Sequence, residues 1–209
     1  MKKTRKIALL FCVGYVLVNA LTPYVGWLKE RSVQNQIEHL NRAFEQGYDD
    51  QLQERYPEGK LFSNAIFALS VIEYGESVPL PAEYAVIVDS CVSRVLSAQA
   101  LAPFNPDLIP KYGMFYNGWV NYVLTQYMAS PLFRYSVLKE RIIEQSQVIE
   151  RRLVAAQEGG AYMLDSYSYM SWPADNCIGL LSLGADSLAI AWRDTIFFPG
   201  ATPFWSHSP

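Results

Sequence analysis

The feature that most constrains this chain is its start. Met1–Lys6 carries four basic side chains, and the next 22 residues, Ile7–Leu28, carry no charge at all. A helix of about 20 apolar residues spans the hydrocarbon core of a bilayer. Tyr24 and Trp27 stand near the far end of the run, where aromatic side chains favour the interface. The basic residues before it favour a cytoplasmic N-terminus and an extracytoplasmic location for the rest of the chain. A cleaved export signal is the competing reading, because Val18-Asn19-Ala20 offers small residues at a cleavage position. A buried core helix is the third. The expected organisation is a membrane segment over 1–28, a helical extracytoplasmic domain over 29–191, and an irregular aromatic tail over 192–209.

Charge narrows the partners. Setting aside the four basic residues of the leader leaves 13 Lys and Arg against 20 Asp and Glu, a net of −7. Phosphate backbones repel such a surface, and no clustered basic face is present, so nucleic acid is not an expected partner. The expected partners are the membrane, through residues 7–28, and a small-molecule ligand. Three cysteines without CxxC spacing and two histidines, His39 and His207, give no metal-binding pattern. No motif calls for a cofactor.

Beyond the leader, apolar residues recur at helical spacing between Pro- and Gly-rich breaks, and no alternating strand pattern appears. Helices are expected over Ser32–Gln46, Lys60–Tyr74, Ala82–Leu101, Lys111–Met128, Leu132–Gln157 and Pro173–Ile190. Short connections between consecutive helices imply antiparallel hairpins and an all-α fold. In Ala82–Leu101 the polar positions Asp89, Ser93 and Ser97 make one narrow stripe on an apolar cylinder.

Two stretches carry candidate chemistry. In the first, Asp165 to Cys177, Pro173 suits a helix's first position and places Asp175 in the first turn. A carboxylate there faces unpaired backbone N–H groups and the positive end of the dipole, which should lower its pKa. The structural reading is that Asp175 stabilises its own helix. The functional one pairs it with Asp165 for acid–base work, with Tyr162, Tyr167, Tyr169, Trp172 and Asn176 around the helix entrance. In the second, Tyr112, Phe115, Tyr116, Trp119 and Tyr122 follow one helical face. That stripe is core or a ligand surface, while Asn117 and Asn121 line a pocket or satisfy nearby loops. Gly113 and Gly118 allow close approach of a ligand or another backbone, since glycine inside a helix costs about 1 kcal/mol.

The stretches YGMFYNGWVNY and SYMSWPADNCIGLLSL resemble sequence from α/α-toroid proteins. That group includes six-hairpin glycosidases, uronyl epimerases, terpenoid cyclases and linalool dehydratase/isomerase-like proteins. The resemblance implies a shortened ring of helical hairpins that binds or processes a carbohydrate-like or isoprenoid-like ligand. The implied carboxylates are Asp175 and Asp165, and the implied lining is Tyr112, Tyr116, Asn117, Trp119, Tyr169, Trp172 and Asn176. A non-catalytic envelope scaffold, with the aromatics in its core, is the alternative.

The membrane reading predicts that alkaline extraction leaves the expressed chain in the membrane pellet. Two arginines at the centre of the segment, Val16→Arg and Leu17→Arg, each add about 2.5–3.5 kcal/mol to insertion and should move the chain to the supernatant. N-terminal sequencing separates a retained Met1 from a cleaved chain beginning at Leu21.

Overall fold

A 19-residue helix, α3 (Gly59–Ser77), buries Leu61, Ala65, Ala68 and Ile72 of the apolar face that its spacing predicts, together with Val71, while Leu69 of that face is only half-buried. Around it the computed structural model describes residues 28–158 and 163–183, and these are helical apart from connections and one isolated bridge between Tyr167 and Met170. The chain divides into two compact units, Met1–Gln46 and Gly47–Pro209.

The described part of the first unit is helix α1, residues 28–45. Of its expected apolar face, Ile37 and Phe44 are buried, but Val33 and Leu40 are exposed. Apart from Leu28, the uncharged run lies outside the described residues, as do Tyr162 and the tail. Among the described residues no helix is long and apolar enough to cross a membrane.

The second unit opens with a short helix that the sequence pattern did not reveal, α2 (Tyr48–Arg55). It is too polar for a hydrophobic face and is held by charge instead. Asp49, 1% exposed, accepts from Asn64 Nδ2 at 2.9 Å and pairs with the buried Lys60 ammonium at 3.4 Å. Lys60 also pairs with Asp50.

After α3 come α4 (Glu83–Val95), α5 (Ala98–Leu101), α6 (Gly113–Ala129), a 3-10 turn (Pro131–Tyr135), α7 (Lys139–Glu158) and α8 (Pro173–Ser182). Two expected helices are therefore broken. Ala82–Leu101 splits at Ser97, which is extended and caps α5 through its hydroxyl, accepting from Ala100 N–H at 3.1 Å. Leu132–Gln157 splits because Asp89 grips the chain between the two pieces. Its carboxylate accepts from Ser136 Oγ at 2.6 Å, the Val137 N–H at 2.9 Å and the Tyr127 hydroxyl at 3.0 Å. Of the narrow polar stripe, Asp89 is buried and Ser93 is exposed.

Cross-helix contacts fix directions. Trp119 meets Phe62, and Leu132 meets Gly75, so α3 and α6 run the same way. Asn121 accepts from Ser146 and Asn117 from Arg152, so α7 is antiparallel to α6. Asn121 Nδ2 donates to Ser182 while Gly118 lies against Asp175 and Gly179, so α8 is parallel to α6. Arg94, near the end of α4, approaches Asp49 beside the start of α3, so α4 is antiparallel to α3. Helices α3, α6 and α8 therefore bring their N-terminal ends together.

A Cβ on Gly118 would sit 3.0 Å from the Gly179 nitrogen and 3.2 Å from the Asp175 carbonyl, both backbone atoms of α8. A Cβ on Gly179 would meet the flexible end of Met114. Gly118→Ala should therefore cost more, about 1–3 kcal/mol as expected for overpacking, with Gly179→Ala milder. Chemical denaturation of the two variants checks the order.

Candidate functional site

The shared end of α3, α6 and α8 carries the charged groups of interest. Pro173 sets the first turn of α8, and Asp175 follows in it with only 8% of its surface exposed. Burial holds its carboxyl above the ordinary 3.8; the Ser166 hydroxyl, by hydrogen bonding, pulls it partway back, and the charge of Glu58 raises it again. This corrects the expectation of a lowered pKa. The dipole at a helix start contributes about 0.3–1 kcal/mol, and the loss of water around the carboxylate outweighs it.

Glu58 was not foreseen. It is the half-buried N-cap of α3, and its side chain makes no capping bond to its own helix. Its influence falls on Tyr167: burial first, then the charges of Glu58 and Asp175 and hydrogen bonding toward Glu58, push the Tyr167 phenol far above its usual range. Glu58, Tyr167 and Asp175 thus form one electrostatically connected group. The only signal for Glu58 in sequence is an acid at the Tyr-Pro-Glu-Gly turn that precedes a helix.

Asp165 is hydrogen-bonded within the loop before α8 and to the start of α6. Its Oδ1 accepts from the Ser171 hydroxyl at 2.5 Å, and its backbone carbonyl accepts from the Met114 N–H at 2.8 Å. It ties the loop before α8 to the start of α6. The carboxylate that acts on Asp175 is Glu58, contributed by α3. Gly113 serves the same docking: its φ is 77°, and a Cβ there would collide with the Ser166 carbonyl.

The asparagines are committed to the fold. Asn176, fully buried, donates to the carbonyls of Leu164 and Trp172 and accepts from the Leu164 N–H at 3.1 Å. Asn117, also fully buried, donates to the carbonyls of Lys111 and Gly113. Both hold loops against helix starts.

The aromatic residues divide by exposure. Tyr116 and Phe104 are buried against each other, with ring centroids 5.4 Å apart, and Tyr112 packs on Tyr116 at 5.8 Å beneath the Arg152 guanidinium. Phe115, Trp119 and Tyr167 are half-buried, and Phe62 is 40% exposed. Phe115 is within 6.1 Å of Phe62 and 5.8 Å of Tyr167, and Phe62 meets Trp119 edge-on at 4.9 Å. These four rings form a partly open surface beside Glu58. Phe62 was not singled out from sequence. Tyr169 and Trp172 stand apart on the loop: Tyr169 is fully exposed at a left-handed φ of 65°, and Trp172 is half exposed.

Cys91 and Cys177 are free, and burial pushes the Cys91 thiol up to about 12. Among the described residues no group of three His, Cys, Asp or Glu is placed to hold a metal ion. The chain matches no protein-family model, no curated protein and no solved structure.

A raised carboxyl pKa means the folded state holds the Asp175 proton more tightly than the unfolded chain does. Its stabilising contribution is full below the ordinary value of 3.8 and is lost as pH rises through the folded pKa. Asp175→Asn, uncharged throughout, should match or exceed the wild type in thermal stability at pH 7. The difference should close as the pH falls toward about 4, near the ordinary carboxylate value. A helix-dipole role would give the reverse, a loss of about 0.3–1 kcal/mol at pH 7.

Proposed function

We propose that this is a membrane-anchored, extracytoplasmic helical protein that binds a carbohydrate-like ligand where α3, α6 and α8 begin. One observation carries the reading: a buried carboxyl whose pKa burial raises, Asp175, feels the charge of Glu58 and acts on Tyr167 at the edge of a partly open aromatic surface. Each part suits a ring-shaped, uncharged, hydroxylated ligand. The faces of Phe115 and Trp119 offer an apolar platform for the C–H side of a sugar. Glu58 accepts hydrogen bonds from hydroxyls. Asp175, with its pKa raised by burial, suits a general acid, and Glu58 beside it is a second carboxyl group. Two carboxyl groups in unlike surroundings are the usual equipment for work at a glycosidic oxygen. The uncharged run Ile7–Leu28 and its basic flank support the membrane placement. The likeness to α/α-toroid proteins rests on the two quoted stretches.

A second reading, a non-catalytic scaffold, has its own support. Asn117, Asn121 and Asn176 spend their amides on internal bonds, and Tyr116 and Phe104 are packed as core. Screening the full chain, held in detergent-free membrane discs, against a panel of oligosaccharides separates the two. The ligand reading expects binding that Trp119→Ala weakens about tenfold, equivalent to about 1.4 kcal/mol, with Asp175→Asn removing any turnover while the fold persists. A chain that binds no glycan leaves the scaffold reading in place.

A further inference from the structure

The start of α6 also meets α7, and there the charge is reversed. Tyr112, the residue before α6, has a left-handed φ of 74°, which a bulky side chain adopts only where its surroundings hold it. Asn117, fully buried, holds the turn by donating to the carbonyls on either side of Tyr112, those of Lys111 at 2.8 Å and Gly113 at 2.6 Å. The half-buried Arg152 of α7 lies 3.5 Å from the Asn117 side-chain oxygen. Two cations therefore share one ring: the Lys111 ammonium stands 5.2 Å and the Arg152 guanidinium 5.5 Å from the centre of Tyr112. Tyr116 packs beside that ring with 6% of its surface exposed, and its hydroxyl makes no hydrogen bond to a described residue. Arg141, exposed on α7, donates to the Leu96 carbonyl at 3.4 Å and also acts on the Tyr116 hydroxyl. Among the described residues, none of Lys111, Arg141 and Arg152 is paired with a carboxylate.

We infer that this turn binds a phosphate group, held by Lys111, Arg141 and Arg152 and bonded by the Tyr116 hydroxyl. The donors select the class. A guanidinium presents its N–H groups in a fork that matches phosphate oxygens, and an ammonium adds donors of free direction. Three positive charges exceed what one carboxylate neutralises, and they suit a phosphate monoester with its charge near −2 and three terminal oxygens. Two cations at one ring repel each other, and an anion between them turns that repulsion into attraction. Burial raises the Tyr116 phenol above its ordinary 10 although the Arg152 and Arg141 charges oppose the rise, so the hydroxyl keeps its proton and donates. The net charge of −7 that repels a phosphate polymer acts at long range. Salt screens such fields beyond about 8 Å, whereas contacts within the turn escape that screening. The inference does not depend on a glycan binding beside Glu58.

The test titrates the full chain, in phosphatidylcholine discs at neutral pH, with phenyl phosphate and follows the heat of binding. Arg152→Gln and Lys111→Gln should each weaken binding about tenfold, and Tyr116→Phe about threefold, as expected for losing a charged and a neutral hydrogen-bond donor. Arg152→Lys, which keeps the charge, should recover part of the loss. Lys111 and Arg141 are exposed, so Lys111→Gln and Arg141→Gln should leave the fold intact, as circular dichroism will show, and both should still weaken binding. Benzoate, with the same ring and a single charge, should bind at least about tenfold more weakly than phenyl phosphate. No heat of binding, binding unchanged in the folded Lys111→Gln and Arg141→Gln variants, or benzoate binding equally well overturns the inference. Adding phosphatidic acid to the discs then identifies the source of the phosphate. A lipid that displaces phenyl phosphate marks a headgroup site, and one that does not marks a site for a free phosphate monoester.

Discussion

Everything at the candidate site depends on how closely α8 can approach α6. Gly118 has no side chain between it and the backbone of α8 at Asp175 and Gly179. That contact lets two helices separated by a whole antiparallel helix lie side by side in the same direction. Asn121, reaching Ser182 on one side and Ser146 on the other, fixes their register along the axis. With the register set, the first turn of α8 stands level with the first turns of α6 and α3, and Asp175 comes within range of a carboxylate some 120 residues earlier in the chain. A methyl group at position 118 would separate the helices and disperse the charged group at the same time.

Buried polar side chains do the joining elsewhere in this fold, and they do it in two ways. Asp89 and the asparagines satisfy backbone groups at helix ends and loops, so their burial is offset by hydrogen bonds at each site. Asp49 and Lys60 offset theirs by pairing, holding a helix that has no apolar face of its own. Asp175 belongs to neither class. Its one named donor, Ser166, only partly opposes the effect of burial, and Glu58 adds to that effect. A buried carboxyl with a raised pKa is a functional-site candidate, which is why the proposed ligand end is assigned there and not to the better-bonded acids.

The helical hairpins were legible because periodicity reports burial, and α3 and α6 fall within a few residues of their expected bounds. What periodicity does not carry is tertiary grip. The breaks at Ser97 and Ser136 are made by side chains that serve as caps or are held by a distant acid, so an unbroken apolar pattern ran through them. Helix α2 was invisible for the opposite reason, being charge-held and without a hydrophobic stripe. At the site, Asp175 could be singled out from Pro173 beside it, but the direction of its pKa could not. The dipole is a local property of the helix start, while burial comes from α3 and the docked loop. Glu58 and Phe62 stayed hidden because their importance lies in facing α6 and α8 across the shared end, a relation that sequence spacing along one helix does not express.

The exposed apolar residues on α3 bear on what the chain is for. Phe62 and Ile66 lie one turn apart on an otherwise well-buried helix, and substitution to a polar residue at either would leave the core of α3 intact. Folding alone gives no reason for hydrocarbon at those positions, since a lysine or glutamate there is at least as good a helix former as phenylalanine or isoleucine. Scattered exposed apolar side chains need no explanation. These two differ because they face a row on α6, Phe115, Trp119 and Tyr122, that is itself only half covered, so the apolar surface is continuous across two helices.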